Sequence, residues 1–92
     1  MNVLYNLPVD ISQQGRRFVA YSPALDITTS GKTKREVKKR FEELIEIFFE
    51  ELKEAHTLED VLKELGWKKV RKQWQTPKII RQSVGVRVAL PV

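Results

Sequence analysis

The stretch Thr28–Val37, "TTSGKTKREV", decides how this chain is read. Gly31-Lys32-Thr33 is how a phosphate-binding loop ends, but the complete motif needs a glycine five positions earlier. Asp26 stands there instead. A carboxylate at that place opposes a wrapped phosphate, and Ile27, Thr28 and Thr29 are strand formers rather than loop residues. A second reading accounts for more of the stretch. Thr33-Lys34-Arg35-Glu36 has the T-x-x-E spacing of a capping box, in which the threonine hydroxyl and the glutamate carboxylate satisfy backbone N–H groups at a helix start. The stretch then marks the place where a sheet stops, with Gly31 turning out of a strand, and a helix begins.

Upstream, Val3, Tyr5, Leu7, Val9 and Ile11 alternate and predict a half-buried strand over 3–11, with Pro8 on its other face. "SQQG" (12–15) reads as a hairpin turn, and "RRFVAYS" (16–22) as a second strand. Pro23 breaks that strand, and "ALDITT" (24–29) reads as a third, completing an antiparallel meander.

Downstream, Val37, Phe41, Leu44, Ile45, Phe48, Leu52 and Ala55 recur at helical spacing, predicting a helix over about 34–55 whose apolar stripe faces a core. Its charges oppose the macrodipole. Lys34, Arg35, Lys38, Lys39 and Arg40 crowd the start; Glu42, Glu43, Glu46, Glu50, Glu51 and Glu54 crowd the end. Either tertiary packing outweighs a small exposed cost, or the two-sign face serves a partner. Lys38–Glu42 and Lys39–Glu43 have the i,i+4 spacing of ion pairs. "HTLEDVLKELGW" (56–67) predicts a short second helix with Thr57 and Asp60 as its capping pair and Gly66 as its stop. "WKKVRKQW" (67–74) reads as strand or irregular extension, and "SVGVRVALPV" (83–92) as a last strand.

Ninety-two residues make one domain, 1–92, with a modest core. No cysteine is present, which excludes disulfides and thiolate metal sites. No apolar run is long enough to cross a membrane, and the start lacks the pattern of a secretory leader, so a cytoplasmic protein without membrane attachment is expected. The net charge of +5 is split: residues 1–64 hold ten basic and twelve acidic groups, whereas the extension from about 67 holds seven basic groups and no acid. Such a tail suits a nucleic acid, an acidic protein face, or simply a solvated strand edge. Nucleic-acid candidates are Lys68, Lys69, Arg71, Lys72 and Arg81 for phosphate, with Trp74 as a stacking platform. Trp74 would equally anchor an interface or close the core, and Trp67, directly after Gly66, is expected to be structural.

His56 is the only histidine and suits a helix C-terminal cap better than a catalyst without a partner. Strands followed by a helix and a further strand suggest a shortened ribonuclease H core, with Asp10 and Glu36 or Glu43 as metal-holding carboxylates. The last segment has no carboxylate, so two-metal hydrolysis is not expected. No catalytic residue, cofactor or metal is assigned.

Gly15, Phe18, Val19, Ala20, Pro23, Leu25, Gly31, Thr33, Glu36 and Val37 match a pattern of strand pair, T-x-x-E cap and amphipathic helix that resembles the N-terminal domain of HicB-family antitoxins. "TLEDVLKELGW" and "VRVALPV" look like its compact members. The resemblance implies an α+β, two-layer, degenerate ribonuclease H-like fold without catalysis: a three-stranded antiparallel meander, a long helix, a short helix and a C-terminal strand. It also implies a small basic HicA-like ribonuclease toxin as partner, its mRNA-cleaving site covered by the antitoxin. Many members carry a C-terminal DNA-binding domain. After Trp74 this chain has no helix pair, so no separate DNA-binding domain is expected. It also lacks the glycine of the usual turn after the leucine, and Leu25-Asp26-Ile27 reads as continuing strand. Glu42, Glu43, Glu46 and Glu50 are the toxin-binding candidates by charge complementarity. A sheet covered by helices on one face only is expected to leave an apolar patch, and Val84, Val86, Val88 and Leu90 are the candidates for a homodimer or higher homo-oligomer interface.

Overall fold

The computed structural model describes residues 5–91. The chain is α+β. Strands β1 (Asp10–Gln14), β2 (Arg17–Ser22) and β3 (Ile27–Gly31) form an antiparallel meander, followed by α1 (Lys34–Glu54), α2 (Leu58–Glu64) and a small hairpin of β4 (Lys68–Val70) and β5 (Gln73–Gln75).

The expected first strand begins late. Val3 lies outside the described residues, and residues 5–9 are not strand. Pro8 cannot donate to a ladder. The segment is instead drawn across the domain: the Tyr5 hydroxyl donates to the Trp74 carbonyl (2.8 Å), and the Tyr5 ring meets Trp67 edge-on. Ser12, Gln13 and Gln14, expected in a turn, are paired with β2, and the turn is Gly15-Arg16. Gly15 has φ +64°, the left-handed value that a first central residue of a type II′ hairpin needs. The third strand also starts later than expected. Residues 23–26 form a turn, because Asp26 takes φ +54° in place of the glycine that such a turn favours.

Register sets the two faces of the sheet. Ile11, Ala20 and Thr29 lie in one row, and Gln13, Phe18 and Gly31 in another, with Ser22 and Ile27 on the same side. Helix α1 packs on that side against β3 and β2, burying Ala20, Val37 and Phe41 together, with Val9, Ile11, Phe18 and Ile45 half-buried around them. The other face presents Asp10, Ser12, Gln14, Arg17, Thr28 and Ser30 around Val19 and Tyr21. The apolar patch expected on this uncovered face is therefore absent; its alternate positions are polar.

A second cluster joins the turn after β2 to the far end of the chain. Ala24, Leu25, Leu62 and Trp67 are buried, with Leu7, Phe48, Phe49, Leu58 and Trp74 packed around them. The structural role expected of Trp67 holds: the buried indole N–H donates to the Ala24 carbonyl at 2.7 Å.

Both helix ends close by the same device. His56 has φ +58°, its N–H donates to the Lys53 carbonyl, and the Thr57 N–H donates to the Leu52 carbonyl. Gly66 at φ +92° and Trp67 repeat this with Lys63 and Leu62. These are Schellman closures, so His56 is a helix-terminal residue as expected. The capping expected from Thr57 is not made: its ψ is 5°, its hydroxyl makes no cap bond, and it serves as the last residue of the α1 closure.

The expected last strand over 83–92 does not form. Residues 76–91 carry no secondary structure, and Val92 lies outside the described residues. Val84, Val86, Val88 and Leu90 are 66–76% exposed. Alternation specifies a strand only where a neighbouring strand supplies ladder hydrogen bonds, and none of the described strands pairs with this segment. The radius of gyration, 16.2 Å, exceeds the roughly 12 Å of a compact chain of this length, and the long axis reaches 54 Å.

Candidate functional site

The "SGKT" segment is a strand end and a helix cap. Gly31 is the last residue of β3, buried against α1. The Glu36 N–H donates to Thr33 Oγ1 (3.0 Å), and the Glu36 carboxylate accepts from the Lys32 N–H (3.1 Å), one residue before the N–H that a standard capping box uses. Glu36 also pairs with Arg40 at 2.8 Å, and Arg40 donates to the Ser30 carbonyl at 3.1 Å. Two of the backbone donors that a phosphate loop would offer, the N–H groups of Lys32 and Glu36, are thus taken by this chain's own side chains.

Helix α1 turns its acidic residues away from the core. At about 100° per residue, Glu42, Glu43, Glu46 and Glu50 fall within one sector of about 100°, opposite Val37, Phe41 and Phe48. All four are exposed, and Ile47, 51% exposed, lies at the margin of their stripe. The Lys38–Glu42 and Lys39–Glu43 pairs expected from spacing do not form. Among the described residues the ion pairs are Glu36–Arg40, Glu59–Lys63 and Asp10–Arg81. Both helical pairs place the acid N-terminal to the base, the orientation the helix dipole favours; Lys38–Glu42 and Lys39–Glu43 have the reverse order. None of the four glutamates makes an ion pair among the described residues, although Lys39 and Lys53 fall in the same sector of the helix.

The basic candidates separate into two groups. Lys68, Lys69, Arg71, Lys72 and Trp74 come together on the β4–β5 hairpin, where Lys69 and Trp74 are directly opposite. Arg71 and Lys72 form its two-residue turn with φ +52° and +65°. That geometry belongs to a type I′ turn, in which Asn-Gly is favoured. Arg81 is elsewhere, 2.6 Å from Asp10 at the start of β1. Trp74 is half-buried on the second cluster, and the Lys69 ammonium lies 5.7 Å from its ring centroid. It is thus partly a core residue, and its ring offers less stacking surface than a free platform. A shallow depression beside it is lined by Lys53, His56, Leu58, Glu59, Lys69 and Trp74.

Two titrating groups are perturbed. The Asp26 carboxylate accepts from the Tyr21 hydroxyl (3.1 Å) and holds that phenol above its ordinary value, with burial and the negative charges of Asp26 and Asp10 adding to the shift. Glu59 is held below the ordinary carboxylate range by its hydrogen bond and charge contact with Lys63, and by Lys69. Neither lies in an enclosed cleft with a nucleophile. Among the described residues no three His, Asp or Glu side chains converge as metal ligands. Asp10 faces Arg81, and Glu36 is spent on the cap. No helix of the described residues is long and apolar enough to cross a membrane.

The comparisons with known proteins return nothing: no family model, no curated protein and no solved structure matches the chain.

Proposed function

We propose that this chain is a non-enzymatic, antitoxin-type binding module with a HicB-like, degenerate ribonuclease H-like fold. It neutralises a small basic HicA-type ribonuclease by laying the acidic stripe of α1 over the toxin's mRNA-cleaving site. The observation that carries this reading is the stripe itself: Glu42, Glu43, Glu46 and Glu50, exposed, in one sector and outside the ion pairs of the described residues. A row of exposed carboxylates on a rigid helix steers a basic partner and suppresses wrong ones. The order of meander, cap and long helix supports the HicB resemblance. In this reading the protein acts in the cytoplasm and needs no cofactor.

Co-expression with the product of a small adjacent reading frame tests the proposal. The chain is expected to restore growth and to co-purify with a small basic ribonuclease. Glu42→Lys with Glu46→Lys is expected to weaken capture at least a hundredfold, since charge pairs at interfaces couple by about 1.5–7 kcal/mol each. Undiminished capture by that variant would sink the acidic-stripe mechanism.

The β4–β5 hairpin favours a second reading, binding of single-stranded nucleic acid. It carries four cations, with Lys69 directly opposite Trp74, and sets two of them in a turn that local preference would give to Asn-Gly. Arg71→Asn with Lys72→Gly removes two charges and relieves two left-handed side chains, at about 1–2 kcal/mol each. The variant is expected to melt higher than the parent chain. If the hairpin binds RNA or DNA, it also loses the mobility shift seen at low salt; an unchanged shift excludes the hairpin as the contact.

A further inference from the structure

The geometry points to residues 82–91 as an exchanged arm that adds to the open edge of β1 in a second copy of this chain. The inference concerns self-association and does not rest on the antitoxin reading. Four observations converge on it. The arm places Val84, Val86, Val88 and Leu90 at alternate positions, all largely exposed, with Gly85, Arg87 and Ala89 between them. That period-2 pattern matches the sheet, whose helix side is apolar and whose other side is polar.

Next, β1 is an edge strand with no partner outside it among the described residues. Helix α1 packs chiefly on β3 and β2, so Val9 and Ile11 at the β1 side remain half-buried. An added strand with its valines on the helix side extends that cluster, while Arg87 joins Asp10, Ser12 and Gln14 on the polar side.

The arm is also rooted at this edge. Arg81 is paired with Asp10, the first residue of β1 (2.6 Å). A twofold axis beside β1 therefore brings together two open edges and two arms, so that each copy fills the vacancy of the other.

Charge favours the same occupant at one position. Arg87 is the arm's single charged residue, and Asp10 is the single charged residue of β1. Arm against arm sets Arg87 near Arg87; arm against β1 of the other copy sets Arg87 on the side of Asp10.

Sedimentation equilibrium of the full chain at micromolar concentration, together with mixed-isotope NMR, tests the proposal. The full chain is expected to sediment as a dimer, with contacts between Val86 or Val88 methyls of one labelled chain and Ile11 of the other. Val86→Glu with Val88→Glu, and separately truncation after Gln82, are expected to give monomers with the helical circular dichroism of the parent, because the arm lies outside both clusters. A monomeric full chain, a dimer that survives the double substitution, or arm-to-Ile11 contacts confined to one chain would each overturn the assignment.

Discussion

Replacing Trp67 by alanine is expected to remove about 3–5 kcal/mol of stability, a large part of the roughly 5–14 kcal/mol available to a chain of this length. Three roles meet in this side chain. It is 2% exposed in the cluster with Ala24, Leu25 and Leu62. Its ring stands edge-on to Tyr5 at 5.6 Å and to Phe49 at 6.3 Å. Its N–H satisfies the Ala24 carbonyl, a bond that spans 43 positions and holds the second helix and hairpin to the turn after β2. Alanine empties the volume and strands the carbonyl together. Trp67→Phe separates the two effects, keeping most of the ring and losing the bond, for about 1–3 kcal/mol. Urea titration followed by circular dichroism checks both. A midpoint for Trp67→Ala within error of the parent would refute this account of the cluster.

That hydrogen bond could not be read from the sequence, because nothing local links residues 24 and 67. The Trp67 position was legible for a local reason: it follows Gly66 directly, and a residue after a helix-stopping glycine packs back on the helix. Local signals of the same kind, a periodicity bounded by a cap, a stop glycine or turn residues, exposed α1, α2, the meander and the outward acidic stripe. What failed was what depends on distant partners. The alternation of Val84 to Leu90 was clear, yet whether it becomes a strand depends on a neighbour. Pro8 hinted at broken pairing, but where residues 5–9 go is decided by the Trp67 and Trp74 surfaces. The turns at Asp26 and at Arg71-Lys72 were hidden for a third reason. Their residues lack the glycine that normally announces positive φ, and flanking strand pairing holds them there. The site candidates divide on the same line. The four glutamates follow from helical spacing alone, whereas the separation of Arg81 from the other basic residues follows from its long-range contact with Asp10.

Gly31→Ala is expected to cost about 2 kcal/mol and to lower the melting temperature by roughly 8–16 °C, without any nucleotide being involved. A methyl group built on Gly31 would stand 2.9 Å from the Val37 nitrogen, 3.1 Å from the Val37 Cα and 3.3 Å from the Glu36 carbonyl carbon. All three are backbone atoms of the first turns of α1, so no side-chain rotation relieves the contact. Either the end of β3 or the start of the helix must shift. Both are pinned, by the Thr33 and Lys32 bonds to Glu36, by the Arg40 bond to the Ser30 carbonyl, and by fully buried Val37. Lower unfolded-state entropy returns about 0.4–1 kcal/mol to the alanine variant, which is less than overpacking removes. Thr33→Ala provides the contrast: it deletes the cap without crowding and is expected to cost about 1 kcal/mol. Thermal melts of the two variants discriminate directly. If Gly31→Ala melts no lower than Thr33→Ala, close strand-to-helix packing is not what the glycine of "SGKT" serves.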